Sequence, residues 1–267
     1  PYLPIKVEDD RADIDNADFA RIITSDLFKR IPDFDRLRFQ QDIVAAGWLE
    51  NDIRAPALSG AGDGSFIVPD ADLVKHCKKY FISEAGTMQE TLKVGLIWRS
   101  GLVNARRAKQ YLRVEQLKPL LEVGGVDFFS LQHDLNDDEH DFCAEHGISI
   151  LDDIDWRDDF ETVAAFTSHL DYVIGISSSS FEIAASVGTE CWLIGASPEA
   201  LGLRLGDSDQ DRDRITWNTT VIRPRAQEMD DAREQQKKWP KEAAVYQAAI
   251  KLAALVQEPS TPSHISE

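Results

Sequence analysis

The chain has 267 residues, enough for one large domain or one and a half ordinary ones, and its 43 % hydrophobic content supports a sizeable core and argues against a disordered chain. Asp and Glu number 47 against 29 Lys and Arg, a formal charge of −18. Such a surface repels phosphate backbones and anionic lipid, so no nucleic-acid partner and no membrane-surface role is expected, whereas a small phosphorylated ligand needs only a local seat of N–H groups and a cation. No apolar run approaches the roughly 18 residues of a membrane span, and no signal peptide is recognisable. The chain opens at Pro1 without Met, which reads as processing or as a fragment of something longer. Cys77, Cys143 and Cys191 are odd in number and widely spaced, as expected of buried free thiols in a reducing, cytoplasmic setting.

The first 90 residues differ from the rest and predict a smaller mixed or helical segment. Residues 13–30 have helical character, and "DRLRFQQDIVAAGWLEN" carries helical spacing at Leu37, Ile43, Val44 and Leu49. "APALSGAGDGSFIVPD" reads as a loop leading into an extended piece; its Gly60, Gly62 and Gly64 do not match GxGxxG. "DADLVKHCKKYFISEAG" predicts a helix with Asp70 near its start and Gly86 past its end.

From Thr91 the pattern becomes regular. Short apolar runs predict strands near 93–98, 126–131, 148–151, 172–176 and 191–195. Between and after them "VEQLKPLLEVG", "DDEHDFCAEHG", "WRDDFETVAAFTSHL", "SFEIAASVG" and "EAAVYQAAIKLAALV" predict helices. This alternation implies an α/β fold, a parallel sheet with helices on both faces. The expected organisation is therefore 1–90 as a remnant of an amino-terminal domain or a linker, 91–256 as the α/β domain, and 257–267 as a disordered tail. In a sheet of this kind ligands bind beyond the carboxyl ends of the strands.

Two loops fall at such ends. "YVIGISSSSFEIAASVG" places Ser177, Ser178, Ser179 and Ser180 between a strand and a helix. One reading is capping alone, with Ser179 and Glu182 as an S-x-x-E box. The other is an anion seat, because a helix start offers unpaired N–H groups and a positive dipole end. The two are compatible. "WRSGLVNARRAKQYL" follows the first regular strand and gathers Arg99, Ser100, Gly101, Arg106, Arg107 and Lys109. It is either a solvated charge run or a diphosphate-binding loop. "HDLNDDEHDFCAEH" holds His133, His140, Cys143 and His146, but matches neither HExxH nor paired CxxC, so its acids read as a solvated helix face and no metal site is expected. No GxSxG occurs, which removes nucleophile-elbow chemistry.

The order of these pieces, over roughly 92–256, resembles the carboxyl-terminal, nucleotide-sugar-binding half of GT-B glycosyltransferases, and is most similar to bacterial TPR-linked glycosyltransferases and lipopolysaccharide heptosyltransferases. "KVGLIWRSG" is similar to the family's first strand and glycine loop, "KQYLRVEQLKPLL" to its segment of Lys, aromatic and leucine-rich helix, and "FFSLQ", which ends at Gln132, to F-x-SLQ. "WRDDFETVAAFTSHLDYVIGISSSSFEIAASVG" follows its D-x-x-x-TAA…LDxVI-x-V-DT-x-x-AHLAGALG, and "CWLIG" its VWLL strand. The resemblance implies a Rossmann-like half that holds a nucleotide-diphosphate sugar without a required metal or other cofactor. The sugar would pass to a glycan or protein acceptor bound on an amino-terminal domain. Lys109 would be the catalytic cation at the leaving diphosphate, with Arg99, Ser100, Gly101, Gln132, Ser177–Ser180 and Glu182 binding ligand. Where the family has Asp-Thr and then His, this chain has Ser177-Ser178 and then Glu182. That Glu cannot donate to phosphate at neutral pH and would cap the helix or accept from a ribose or sugar hydroxyl. A non-catalytic nucleotide- or sugar-binding module of a larger assembly is the alternative.

Overall fold

A computed structural model describes residues 65, 67–82, 91–101, 111–195, 204, 211–213, 216, 218–224 and 241–257. The readings placed on residues 1–64, on Gly86, on Lys109 with Arg106 and Arg107, and on 258–267 lie outside the described residues.

The first described helix is α1, Ala71–Cys77, continued by a 3-10 turn over Lys78–Phe81. Asp70 starts it as expected: its carboxylate accepts from the N–H groups of Asp72 and Leu73, both at 3.0 Å. Strand β1 (Leu92–Ile97) is followed by a 3-10 turn at Val114–Leu117 that runs into α2 (Lys118–Leu121), then β2 (Val126–Ser130) and α3 (Asp137–His146). Then come β3 (Ile148–Ser149), α4 (Phe160–Thr167), β4 (Tyr172–Gly175), α5 (Ser179–Ser186) and β5 (Glu190–Ile194). The series closes with β6 (Thr219–Ile222) and α6 (Lys241–Gln257).

The six strands form one sheet in the order β3-β2-β1-β4-β5-β6, every neighbouring pair parallel. The five expected strands are all present. β3 is two residues long, not four, and β6 was not expected. Its four residues, Thr219–Ile222, are too few for periodicity to distinguish from a loop. Outside β6 the chain at 211–213 runs antiparallel to it: Arg212 lies opposite Thr220, the Val221 N–H donates to the Asp211 carbonyl at 2.6 Å, and the Asp213 N–H to that of Thr219 at 2.9 Å.

Strands that advance to one side of β1 and then return to the other side require helices on opposite faces, given right-handed crossovers. On one face α1 packs on α4 and α4 on α5; on the other α6 lies across α2 and reaches β5 and β6. Aromatic rings fill the first layer. Phe166 of α4 meets Phe129 of β2 edge-on at 5.7 Å, Trp156 at 5.3 Å, and Phe81 at 5.0 Å. Phe81 and Cys77 have no solvent exposure, so the end of α1 and the turn after it belong to the core of the sheet domain. Each fully buried side chain of this size removes roughly 1.5–3 kcal/mol of apolar surface from water. All three cysteines are free and buried; burial pushes the Cys143 thiol up to about 11.

Candidate functional site at the strand ends

The strand order reverses between β1 and β4. Connections leave these two neighbours for opposite faces, and in sheets of this kind that is where a ligand-binding crevice lies, beyond the carboxyl ends of the strands. The two loops selected from sequence sit there: Trp98–Gly101 directly after β1, and Ile176–Ser180 directly after β4. They are tied across the crevice floor. The Ile176 N–H donates to the Ile97 carbonyl at 3.0 Å, and a Cβ on Gly175 would stand 2.0 Å from that same oxygen. Only glycine lets the two strand ends approach this closely.

At α5 the serines divide into different roles. Ser178 is the N-cap, in extended backbone, its hydroxyl accepting from the Phe181 N–H at 3.4 Å. Ser177 and Ser179 are exposed, Ser178 is half-buried and Ser180 is buried. Among the described residues, the N–H groups of Ser179 and Ser180 make no hydrogen bond, as expected of the first turn of a helix. The expected Ser179–Glu182 box does not form. The helix starts one residue earlier, so the N3 position falls to Phe181, which has no carboxylate to return to the cap. Glu182 instead accepts from the Ser177 hydroxyl at 2.8 Å and pairs closely with Arg204. Arg204 also reaches the Ser177 oxygen at 3.1 Å and, with its other arm, the Asp213 carboxylate at 2.5 Å. Its side chain is 11 % exposed and that of Asp213 is fully enclosed. Burial opposes the charge on Arg204, but the two carboxylates outweigh it and hold the guanidinium protonated above the ordinary arginine range.

The loop after β1 is braced from β2 and α3. Gln132 is buried and accepts from the Arg99 backbone N–H at 3.0 Å while donating to the His133 carbonyl at 3.1 Å. It ties the loop after β1 to the chain leaving β2. The Arg99 guanidinium turns away from the crevice, binding both oxygens of Glu139 at 2.7 and 2.5 Å and the Asp134 carbonyl at 2.5 Å. The Trp98 ring N–H donates to the same Glu139 at 2.7 Å. Burial by itself would raise the Glu139 pKa, yet Arg99, Trp98 and the Asn136 N–H together hold it below the usual carboxylate range. Arg99 is raised in turn by its hydrogen bonds to Glu139. Ser100 is half-buried, and Gly101 is exposed with its backbone against the His133 ring, where a Cβ would meet Cε1 at 2.0 Å.

The structure thus brings Arg99, Ser100, Gly101, Gln132, Ser177–Ser180 and Glu182 to adjacent strand ends; Lys109 is outside the described residues. Three residues of this region were not singled out from sequence. Glu139 was hidden in a run read as solvated acids, and Arg204 and Asp213 in "LRLGDSDQDRDR". The only local signal for Glu139 is its capping-box spacing after Asn136. Among the described residues, no three His, Cys, Asp or Glu side chains converge as a metal site would require, and no helix is long and apolar enough to cross a membrane.

No protein-family model matches the chain. Over 137 residues, 50 % of this chain, it is 34 % identical to Protein FlbA of Caulobacter vibrioides. That match covers 22 % of FlbA, so the chain spans about a fifth of the length of this curated relative. Among solved structures, a glycosyl transferase family 9 protein from Veillonella parvula superposes with a TM-score of 0.46 at 11 % identity, over 71 % of this chain and 52 % of that one. The fold class stated above rests on the strand order of this chain itself.

Proposed function

We propose that the chain is the donor-binding half of a glycosyltransferase, taking a nucleotide-diphosphate sugar at the β1/β4 crevice for transfer to a glycan or protein acceptor. One observation carries the reading. The two loops that resemble the family's glycine loop and phosphate-binding helix lie far apart in sequence, yet stand at neighbouring strand ends where the sheet changes direction. There the first turn of α5 offers N–H groups and a positive dipole end to phosphate. Lys109 is assigned as the cation that stabilises the leaving diphosphate, so catalysis is electrostatic and needs no metal. The acceptor would be held by an amino-terminal domain, of which residues 1–90 are a remnant or linker apart from α1 and the turn after it, which pack in the sheet domain, in a cytoplasmic protein of the TPR-linked kind.

A non-catalytic binding module on the same fold is favoured by one observation: Glu182, at the place where the family pattern has His, is occupied by Ser177 and Arg204. The two readings share the ligand and differ in turnover. Thermal unfolding with a panel of UDP, GDP, ADP and their sugar conjugates tests both, since a ligand at about 100 times its Kd stabilises by about 2.7 kcal/mol. No stabilisation by any diphosphate removes both. Lys109→Ala is expected to weaken the best binder by about 1.5–3 kcal/mol in calorimetry, the range for hydrogen bonds to charged groups. Unchanged affinity moves the phosphate elsewhere.

A further inference from the structure

At the mouth of the proposed phosphate seat stands an acid. Glu182 lies in the first turn of α5, is 37 % exposed at its side chain, and would repel a diphosphate. Arg204 is enclosed, one arm is fixed on Asp213, and Asp213 is fixed in turn by the Thr216 hydroxyl at 3.3 Å and by its own N–H on Thr219 of β6. The remaining arm is thereby aimed at Glu182 and Ser177.

We propose that Arg204 is a positioning residue for the phosphate seat: anchored by Asp213, it holds Glu182 against Ser177 and neutralises it, so that the crevice admits a diphosphate that the uncovered carboxylate would exclude. The inference rests on the nucleotide-diphosphate reading of the crevice. It assigns to this chain a substitute for the family's histidine, an acid covered by a guanidinium that a second, enclosed carboxylate holds in place. Arg204 acts through Glu182 and need not touch the ligand.

The test is UDP binding by calorimetry to the unsubstituted chain, Arg204→Gln, Glu182→Gln and the double variant. Arg204→Gln is expected to lower affinity at least about tenfold, equivalent to about 1.4 kcal/mol. The double variant is expected to regain that loss, because the charge that Arg204 covers is gone. Since Arg204→Gln leaves the enclosed Asp213 carboxylate without its guanidinium, the Glu182 comparison is repeated in an Arg204→Gln/Asp213→Asn background, where no buried charge is stranded. A double variant as weak as Arg204→Gln in both backgrounds overturns the inference and makes Arg204 a direct ligand contact or a wall residue. So does an Arg204→Gln protein that binds UDP normally. Failure of the unsubstituted chain to bind any nucleotide diphosphate removes the reading of the crevice itself, and this inference with it.

Discussion

Glu139 shows how much one side chain can hold. It closes the cap of α3, receives the Trp98 ring N–H, and binds Arg99 with both oxygens, all at a side-chain exposure of 9 %. Glu139→Gln leaves Arg99 enclosed beside a neutral partner and is expected to cost about 3 kcal/mol in chemical denaturation, the lower end for breaking a buried pair. The loss depends on pH in a definite direction. The Glu139 pKa in the folded chain lies below its ordinary value, so in that interval the unfolded chain binds more protons. Its contribution is complete above the ordinary carboxylate range and is lost as pH falls through the folded-state value. The stability gap between the unsubstituted chain and Glu139→Gln is therefore expected to shrink below about pH 4; a gap constant from pH 7 downward means the carboxylate charge is irrelevant. Within "NDDEHDF" only the capping-box spacing after Asn136 sets Glu139 apart from its exposed neighbours Asp137 and Asp138, and that spacing does not announce burial, which is decided by β1 and β2. The same holds for Arg204 and Asp213. The serines were legible since their meaning is local: a strand end followed by a helix start.

At the level of elements, the parallel strands were legible because burial on both faces demands near-continuous apolar runs such as "KVGLIW" and "ECWLI". β6 escaped notice because a four-residue edge strand has no period to read. The junction of β1 and β4 depends on Gly175, and sequence alone did not mark it. Gly175→Ala sets a methyl 2.0 Å from a backbone oxygen that cannot move without parting the strands. It is expected to cost about 3 kcal/mol or more by overpacking, and to weaken any diphosphate binding with it. Gly101→Ala meets the His133 ring first, whose far edge can rotate away, so it is expected to unfold within about 1 kcal/mol of the unsubstituted chain. Equal losses at the two glycines contradict this account of the junction. Helix starts give a second contrast. Asp70→Ala removes two acceptor bonds of 3.0 Å and Ser178→Ala one of 3.4 Å. Thermal unfolding is expected to rank Asp70→Ala as the more damaging, near the upper half of the roughly 0.5–2 kcal/mol range for caps.

For the whole molecule the governing quantity is the charge of −18. Mutual repulsion of the acids opposes compaction, and salt relieves it as the Debye length falls from about 30 Å at 0.01 M to about 8 Å at 0.15 M. The melting temperature is expected to rise by about 2–4 °C over that interval, the shift that about 1 kcal/mol produces at this size. A fall in its place means that ion pairs such as Arg99–Glu139 outweigh the general repulsion. The antiparallel stretch at 211–213 carries a last consequence for the molecule in company. A bare outer strand is a template on which a second chain can crystallise its own backbone. Here β3 is too short to serve, and the Asp211 carbonyl and Asp213 N–H already occupy the outer rim of β6. Asp213, part of that rim, also anchors the guanidinium that covers Glu182, so a change at Asp213 reaches the guarded edge of the sheet and the phosphate seat together.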